Sequence, residues 1–336
     1  MTNNEYSTLK KVIVGREYSI QEEPKVKEFR EFYGTDNSFD LTKYIQNCEN
    51  KLKQRQDSLE MLSNTLSNMG VEVIRPDNDP YSKINNTTFG SNVRDLFFVI
   101  QDYIIITNSP LSNRHLEYQN YSQFFNDNIH KYKIIQIPLL ENGTLKRDYE
   151  TYKKLDVSQF EDKWEEYYPI FEAANIIKHN GYLIMNISNH NEYAGYKYLE
   201  RILPYKIYPV FIDEHHIDGA LNILNSNTAL LCFDSNNIKK EDIINHLQFL
   251  EDFDFIIVDK NPKGHKEPKN RVIASLGGMF INVLSIDENT VIVNEDAIFI
   301  IYELKQRGFT VIPLPNKDSR LFGGGFHCVT LDIERE

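Results

Sequence analysis

The C-terminal part of the chain contains a segment typical of a reactive site. Three consecutive glycines, Gly323 to Gly325, are followed by Phe326, His327 and Cys328. Because glycine has no side chain, such a run lets the backbone approach a ligand closely. A cysteine directly after it is a candidate nucleophile, provided that other residues supply a base and hold an electrophile.

Four further residues, distant in sequence, could complete this chemistry. His216 could accept the thiol proton and later act as an acid and a base. Asp95, Glu172 and Asp218 would place three carboxylates around one thiol, which raises the pKa of the thiol. Such an arrangement suits a cationic substrate. A planar guanidinium fits paired carboxylates in bidentate geometry, and its central carbon would be open to attack by sulfur.

Each residue also has an ordinary structural interpretation. Cys328 could be a buried, unreactive thiol, and His216 could be a hydrogen-bonded structural histidine. Asp218 could simply orient His216 through a ring nitrogen. His327 is disfavoured as the base, because alternation along a strand directs neighbouring side chains to opposite faces. The prediction therefore depends on the combination of residues and not on any single member.

A degenerate repeat predicts how these distant residues meet. Four times, a β-hairpin is followed by a helix and a further short strand. The hairpins begin near residues 96, 174, 221 and 281, and the helices lie near 114–125, 192–203, 240–251 and 295–306. A fifth unit combines elements from both chain ends: strands at 11–14, 71–74 and 328–333, and a helix near 51–69. Units that each leave one face uncovered must stack or close into a ring.

The repeat therefore predicts an α/β fold in which ββαβ units form one ring with pseudo-fivefold symmetry. Residues 1–336 would be a single catalytic domain, and the N- and C-terminal strands would pair to close the ring. A generic α/β domain is the alternative. Because equivalent positions in a ring converge on its axis, the candidate residues that precede the first strands should face one another. They are Asp95, Glu172, His216, Asp218 and Cys328.

Composition narrows the classes of function. The formal net charge of -12 argues against a nucleic-acid or anionic-membrane partner, because both need basic patches. The three cysteines are too far apart for a disulfide framework or a Cys-x-x-Cys zinc site. A signal peptide and an apolar run of membrane-spanning length are both missing from the sequence. We therefore expect a cytoplasmic protein.

These motifs resemble those of the amidinotransferase family, which includes glycine and inosamine-phosphate amidinotransferases. The resemblance covers nearly the whole chain, and its most specific part is the glycine-rich segment that ends at Cys328. The other matching parts are Arg94-Asp95, the segment Phe171-Glu172-Ala173-Ala174-Asn175, and His216-Ile217-Asp218 with Asn222.

The resemblance implies a five-bladed α/β propeller and a ping-pong transfer reaction. Cys328 would attack the guanidinium carbon of a donor, usually arginine, and the resulting amidino-cysteine would pass its amidino group to an acceptor amine. His216 would protonate the leaving amine and deprotonate the incoming one. The implied partners are these two small molecules. The missing targeting sequence predicts a bacterial setting, and we expect a specialised pathway. No metal or organic cofactor is implied, and a homodimer is common in the family.

The resemblance also implies roles for the remaining site residues. Asp95 and Asp218 are similar to the residues that clamp the guanidinium, and Glu172 to the acid that pairs with the histidine and the substrate. Ser275 lies near a substrate-binding serine. Gly325, in the glycine-rich segment, is grouped with the substrate-contacting residues.

Two departures from the family pattern concern the donor. Glu172 replaces the usual aspartate, as in the related arginine deiminases and dimethylarginine hydrolases. The arginine that holds the donor carboxylate in glycine-forming enzymes is missing from the aligned stretch 233–236. Arg114, Lys239 or Arg271 could replace it, or the donor could lack a free carboxylate there. Specificity for the acceptor is expected in the loops 21–40, 77–90 and 260–271.

Two other functions stay open on the sequence alone. A hydrolase on the same scaffold would use water in place of the amine and release citrulline, as an arginine deiminase does. A catalytically silent propeller would be a binding module in which Cys328 reacts like an ordinary thiol. A cysteine protease is less consistent, because a ring of carboxylates does not suit a neutral amide substrate.

Overall fold

The structure is a computed structural model. It describes residues 2–19, 27–29, 39–76, 90–138, 145–147, 156–212, 216–236, 238–260 and 274–336. The three loops expected to determine specificity lie almost entirely outside the described residues, as does Arg271.

The described strands form five sheets of three strands each. In every sheet, the central strand pairs antiparallel with one neighbour and parallel with the other. In chain order the strands are β1 (Leu9–Val14), β2 (Glu72–Ile74), β3 (Phe97–Ile100), β4 (Tyr103–Ile106), β5 (Lys133–Gln136), β6 (Ile176–His179), β7 (Tyr182–Asn186), β8 (Ile207–Val210), β9 (Leu221–Ile223), β10 (Thr228–Phe233), β11 (Asp254–Asp259), β12 (Leu284–Asp287), β13 (Thr290–Asn294), β14 (Thr310–Leu314) and β15 (Thr330–Arg335).

A helix connects the two parallel strands of each sheet, as parallel pairing requires a crossover. The helices are α1 (Leu41–Asn68), α2 (Ser122–Asn128), α3 (His190–Ile202), α4 (Lys240–His246), α5 (Leu276–Ile281) and α6 (Ile298–Gln306). All except α5, which precedes β12, are such crossovers. Within the described part of the chain, no helix has both the length and the apolar composition that crossing a membrane requires.

The ring is closed by elements from both chain ends. β1 pairs antiparallel with β15 and parallel with β2. Buried apolar clusters fill the spaces between neighbouring sheets: Phe98 of β3 packs in one cluster with Met185 of β7, and Ile13 of β1 packs in another with Val99 and Leu331. The predicted five-bladed pseudo-symmetric α/β propeller of ββαβ repeats is therefore confirmed.

The predicted helix at 114–125 is wrong in its first half. Residues Ser112–Arg114 and Glu117–Tyr121 form 3-10 turns, and a regular helix begins only at Ser122. The tighter winding places residues three apart directly above one another. Nε of Arg114 accordingly lies 2.9 Å from Oε2 of Glu117, and both side chains are buried. The predicted strand at 328–333 also begins later, at Thr330, so Cys328 lies in the turn before β15.

Helix α1 supports the glycine-rich segment from behind. It begins after Asp40, whose side chain accepts a hydrogen bond from the N–H of Lys43, a common N-cap arrangement. Arg55, in the middle of α1, is fully buried. Its guanidinium donates to the carbonyl of Gly324 (3.0 Å) and to Oδ1 of Asn316 (2.6 Å). A charged anchor of this kind fixes the loop that leads to Cys328.

Candidate active site

Short 3-10 turns bring the predicted site residues together. The turns Val93–Asp95, Ala173–Asn175 and Ile217–Gly219 directly precede β3, β6 and β9, the first strands of three successive sheets. Asp95 and Asp218 lie within two of these turns, and Glu172 and His216 lie just before a turn. The equivalent position in the closing sheet is the turn that carries Cys328.

Glu172, His216 and Asp95 form one connected group. Nε2 of His216 lies 2.6 Å from Oε2 of Glu172, and Nδ1 lies 3.8 Å from Oδ1 of Asp95. Oε1 of Glu172 accepts hydrogen bonds from Ser109 (2.6 Å) and Arg114 (3.0 Å). The carboxylates are buried, whereas the side chain of His216 is 21% exposed. His216 is thus the member of this group that meets the solvent.

The electrostatics of this group favour a protonated imidazole. Burial opposes the charge on His216, but the negative charge of Asp95 and the hydrogen bond to Glu172 outweigh it and raise its pKa to about 10. Burial also opposes ionisation of Glu172, yet Arg114 and His216 lower the pKa of that carboxyl. The pKa of Asp95 is raised, because burial and the nearby charge of Glu172 outweigh the attraction of Arg114. His216 is therefore suited to donate a proton near neutral pH.

This raised pKa predicts a pH-dependent stability. His216 stabilises the folded protein fully below pH 6.5, its ordinary pKa, and loses this contribution as the pH rises through about 10. The difference in free energy of unfolding between the wild type and His216→Asn should therefore shrink between pH 7 and pH 10 in urea titrations. An equal difference at both pH values would contradict this environment for His216.

Cys328 lies against Asp218 and an asparagine that the sequence reasoning missed. Sγ of Cys328 is 3.1 Å from Oδ2 of Asp218, which accepts the S–H, and 3.1 Å from Nδ2 of Asn282. Oδ1 of Asn282 accepts the backbone N–H of Cys328 at 3.1 Å. The thiol is buried, and burial together with the charges of Asp218 and Asp95 raises its pKa well above the usual range. In this state the group is a thiol and not a thiolate.

Asn282 could have been found from the repeat. It lies two residues before β12, the first strand of the fourth sheet, and so occupies the position that the other site residues occupy in their sheets. An amide carries no charge, so the pattern of acidic and basic groups before the first strands does not include it.

Asp218 orients a different histidine from the one considered in the sequence. Its Oδ2 lies 2.9 Å from Nδ1 of His327, so the same oxygen serves both His327 and Cys328. Burial opposes ionisation of Asp218, but the hydrogen bond and charge of His327 outweigh it and lower the pKa of the carboxyl. Asp218 is thus held ionised beside a neutral thiol.

Comparison with known proteins agrees with this arrangement. The chain is 25% identical to the mitochondrial glycine amidinotransferase of Gallus gallus, over 99% of this chain and 82% of that protein. The solved inosamine-phosphate amidinotransferase of Streptomyces griseus superposes with a TM-score of 0.77 at 22% identity, covering 99% of this chain and 96% of that one. The chain is similar to amidinotransferases over nearly its whole length. No protein-family model matches the sequence.

A hydrolase fold is a more distant match. A solved dimethylarginine dimethylaminohydrolase superposes with a TM-score of 0.54 at 14% identity, covering 97% of this chain and all of that one. The predicted resemblance to the amidinotransferase family is therefore confirmed, and the shared scaffold extends to hydrolases at lower similarity.

Close packing leaves no room for a side chain at two glycines of the glycine-rich segment. A Cβ on Gly324 would lie 2.1 Å from Oδ1 of Asn92, and a Cβ on Gly325 would lie 2.4 Å from Cβ of Asn282. Gly323 has a φ of +63°, which favours glycine. The backbone therefore approaches two asparagines, one of which contacts the thiol. Contact between Gly325 and a substrate stays a prediction.

Replacing Gly325 with alanine should destabilise the protein by about 1–3 kcal/mol, the usual effect of overpacking. It should also slow catalysis, because Asn282 must move away from Cys328. Chemical denaturation measures the first effect and steady-state kinetics the second. Gly90→Ala is the matched control, since its nearest neighbour would be at 3.4 Å. Equal stability of the two variants would contradict the close approach.

Arg114 does not face outward to receive a donor carboxylate. Its Nη1 lies 2.8 Å from Oδ2 of Asp95 and 3.0 Å from Oε1 of Glu172, and the side chain is buried. It therefore acts as an internal counter-ion of the site, contrary to the suggestion that it replaces the missing arginine. Lys239, the other described candidate, is the residue before α4.

Ser275 lies on a helix that packs against the turn carrying Asp218. It is the N-cap of α5, and its hydroxyl accepts the N–H of Gly278 at 3.1 Å. A Cβ on Gly278 would lie 3.1 Å from the carbonyl oxygen of Gly219. This packing places Ser275 beside the site, while its contact with a substrate stays a prediction.

One imidazole and two carboxylates of the site could hold a metal ion. Ligand atoms of Asp95, Glu172 and His216 all lie within 4.8 Å of one another. However, Arg114 already binds both carboxylates, and a divalent cation beside its guanidinium would be repelled. The guanidinium of Arg114 already serves as the cation between these carboxylates, so the three residues do not fit a metal site.

Two carboxylate oxygens in the site stand out. Oδ1 of Asp95 and Oδ1 of Asp218 are buried and have no hydrogen-bond partner among the described residues. Unsatisfied buried acceptors are costly, and a charged acceptor especially so. Oδ2 of each aspartate is hydrogen-bonded within the protein, whereas neither Oδ1 accepts a hydrogen bond from a described residue, and Oδ1 of Asp95 lies 3.8 Å from Nδ1 of His216. Both Oδ1 atoms can therefore accept hydrogen bonds from a donor.

Proposed function

We propose that the protein transfers an amidino group from a guanidino donor, with arginine the first candidate, to an acceptor amine through a covalent amidino-cysteine. The observation that carries this proposal is the pair of buried Oδ1 atoms on Asp95 and Asp218, which accept no hydrogen bond within the described residues and lie near a thiol. Two carboxylate acceptors match the planar N–H fork of a guanidinium. In this proposal, residues 1–336 form one catalytic domain.

Donor binding would also activate the thiol. The charges of Asp218 and Asp95 are among the causes that raise the pKa of Cys328. A guanidinium between these carboxylates neutralises them and adds a positive charge next to sulfur, which favours the thiolate. The nucleophile is therefore activated when the donor is present, which limits side reactions of the free enzyme.

The first half-reaction would use Asp218 and His216 for its two proton transfers. Sulfur of Cys328 bonds to the guanidinium carbon, and the thiol proton passes to Oδ2 of Asp218, which already accepts its hydrogen bond. Protonated His216 donates its proton to the leaving amine as the carbon–nitrogen bond breaks. The products are the amidino-cysteine and a free amine.

The second half-reaction would reverse these transfers in ping-pong order. Neutral His216, held by Glu172, takes a proton from the acceptor amine as its nitrogen attacks the amidino carbon. The released thiolate recovers the proton from Asp218, and the new guanidinium leaves. The site then regains its starting charge.

Product analysis separates transfer from the two alternatives. The protein is incubated with arginine, alone and with glycine or hydroxylamine as acceptor. Transfer predicts continued ornithine formation only when an amine is present, and at most one ornithine per enzyme molecule without it, whereas hydrolysis predicts citrulline without an amine. The absence of both products, together with ordinary reactivity of Cys328, would favour the silent binding module.

The finer predictions belong to the same proposal. We expect a cytoplasmic enzyme of specialised metabolism that acts on two small molecules, without a nucleic-acid or membrane partner. A homodimer is expected, and light scattering coupled to size-exclusion chromatography measures it.

A further inference from the structure

His327 connects the thiol to a second, deeper group of charges. Its Nδ1 lies 2.9 Å from Oδ2 of Asp218, the oxygen that also accepts the S–H of Cys328. Its Nε2 lies 3.5 Å from Oε2 of Glu5. Each ring nitrogen thus faces a carboxylate oxygen, and the residue is buried. The chemistry proposed above gives His327 and Glu5 no role.

Glu5 belongs to an N-terminal segment that is fixed on three sheets. Backbone N–H groups in the hairpin turns β3–β4 and β6–β7 donate to the carbonyls of Thr2 and Asn3, at 2.9 Å each. The hydroxyl of Thr2 donates to the carbonyl of Ile333 in β15 at 2.8 Å. The segment is therefore held between sheets that are distant in sequence, and Glu5 is buried beneath the site.

The charged groups around Glu5 hold its carboxylate in place. Oε1 accepts the backbone N–H of Lys178 at 3.1 Å, and Oε2 lies 3.4 Å from Nη1 of Arg94. Asp332 pairs in turn with Arg94 (2.9 Å), Lys178 (2.6 Å) and Arg335 (3.1 Å). All of these side chains are buried, so the network keeps Oε2 of Glu5 directed at His327.

We propose that His327 is a positioning residue of the transfer reaction and that Glu5 holds the imidazole ring of His327 in place. By donating to Oδ2 of Asp218, His327 keeps that oxygen on the thiol and leaves Oδ1 for the donor guanidinium. Without this N–H, rotation about Cβ–Cγ would exchange the two oxygens, and thiol and donor would compete for them. The inference rests on the proposed function of the site.

Two substitutions separate positioning from a packing role. The amide N–H of asparagine reaches about the position of Nδ1, and that of glutamine about the position of Nε2. His327→Asn keeps a donor to Asp218, and its kcat should stay within about tenfold of the wild type. His327→Gln loses that donor, and its kcat should fall about 100-fold, the effect of a small misplacement of reacting groups.

Alkylation of Cys328 supplies a readout that does not need turnover. Chloroacetamidine is a cation that needs the clamp, whereas chloroacetamide is neutral and does not. The ratio of the two alkylation rates, followed over pH, should fall about tenfold in His327→Gln and stay near the wild-type value in His327→Asn. If both variants lose kcat equally while the ratio stays constant, His327 is only a packing residue and the proposal is overturned.

A double-mutant cycle tests whether Glu5 acts through His327. Glu5→Gln should lower kcat about threefold to tenfold in the wild-type background and cause no further loss in His327→Gln, because coupled residues are not additive. Additive losses would show that Glu5 acts elsewhere and would overturn its assignment. If the wild type forms no transfer product but the alkylation ratio depends on His327 as described, the proposed function fails and the positioning role stands.

Discussion

The Cys328→Ala variant is expected to lose amidino transfer entirely while it still folds and binds arginine. The variant has no atom that can form the covalent intermediate, and removing a catalytic nucleophile lowers kcat by ~10⁴-fold or more. The clamp oxygens of Asp95 and Asp218 are unaffected, so donor binding persists. Ornithine release measures the first effect and titration calorimetry with arginine the second.

The matched control is Cys48→Ala. Cys48 is also buried, but it packs among apolar residues of α1 and the neighbouring loops, and it should retain transfer at nearly the wild-type rate. Ornithine formation by Cys328→Ala, in a preparation free of wild-type enzyme, would rule out the proposed mechanism.

The Asp95→Asn variant should lose about 2–4 kcal/mol of transition-state stabilisation, or about 30-fold to 1000-fold in kcat/KM. The Asp218→Asn variant should lose at least as much, because it also lacks the acceptor of the thiol proton. An amide removes the negative charge while keeping the size of the side chain. The donor guanidinium then lacks one of its two charged acceptors. Steady-state kinetics over a range of arginine concentrations measures the loss.

The rates of alkylation by a neutral and a cationic reagent should change in opposite directions, which tests the clamp more directly. The charge of Asp95 helps to raise the pKa of Cys328, so Asp95→Asn should increase the thiolate fraction. Alkylation by neutral chloroacetamide should become faster, while alkylation by cationic chloroacetamidine becomes slower. Asp102→Asn, at a partly exposed hairpin turn, should change neither rate. Parallel changes with both reagents would contradict the clamp.

The repeat made the site predictable from the sequence. Hydrophobic periodicity and turn residues located the ββαβ units, and the ring they form brings Asp95, Asp218 and Cys328 together. Pairing of β1 with β15 followed from the same reasoning. Local patterns were sufficient for these three residues because each lies two or three residues before a strand at the same place in its sheet.

Three features of the site could be recognised only in the structure. Asn282 is uncharged, so it does not stand out among the acidic and basic groups that precede the first strands of other sheets. The inward direction of Arg114 depends on 3-10 turns, which regular helical periodicity does not reveal. Glu5 precedes the first strand and carries no periodic signal, and its position is fixed by contacts with distant hairpin turns.

The most direct test is the mass of the intact protein after brief exposure to arginine without an acceptor, followed by acid quenching and peptide mapping. Transfer through Cys328 predicts a mass increase of one amidino group, located on the peptide that contains Cys328, and its loss when an amine is added before the quench. Ornithine formation with an unmodified Cys328 at every time point, or an adduct on any other residue, would contradict it.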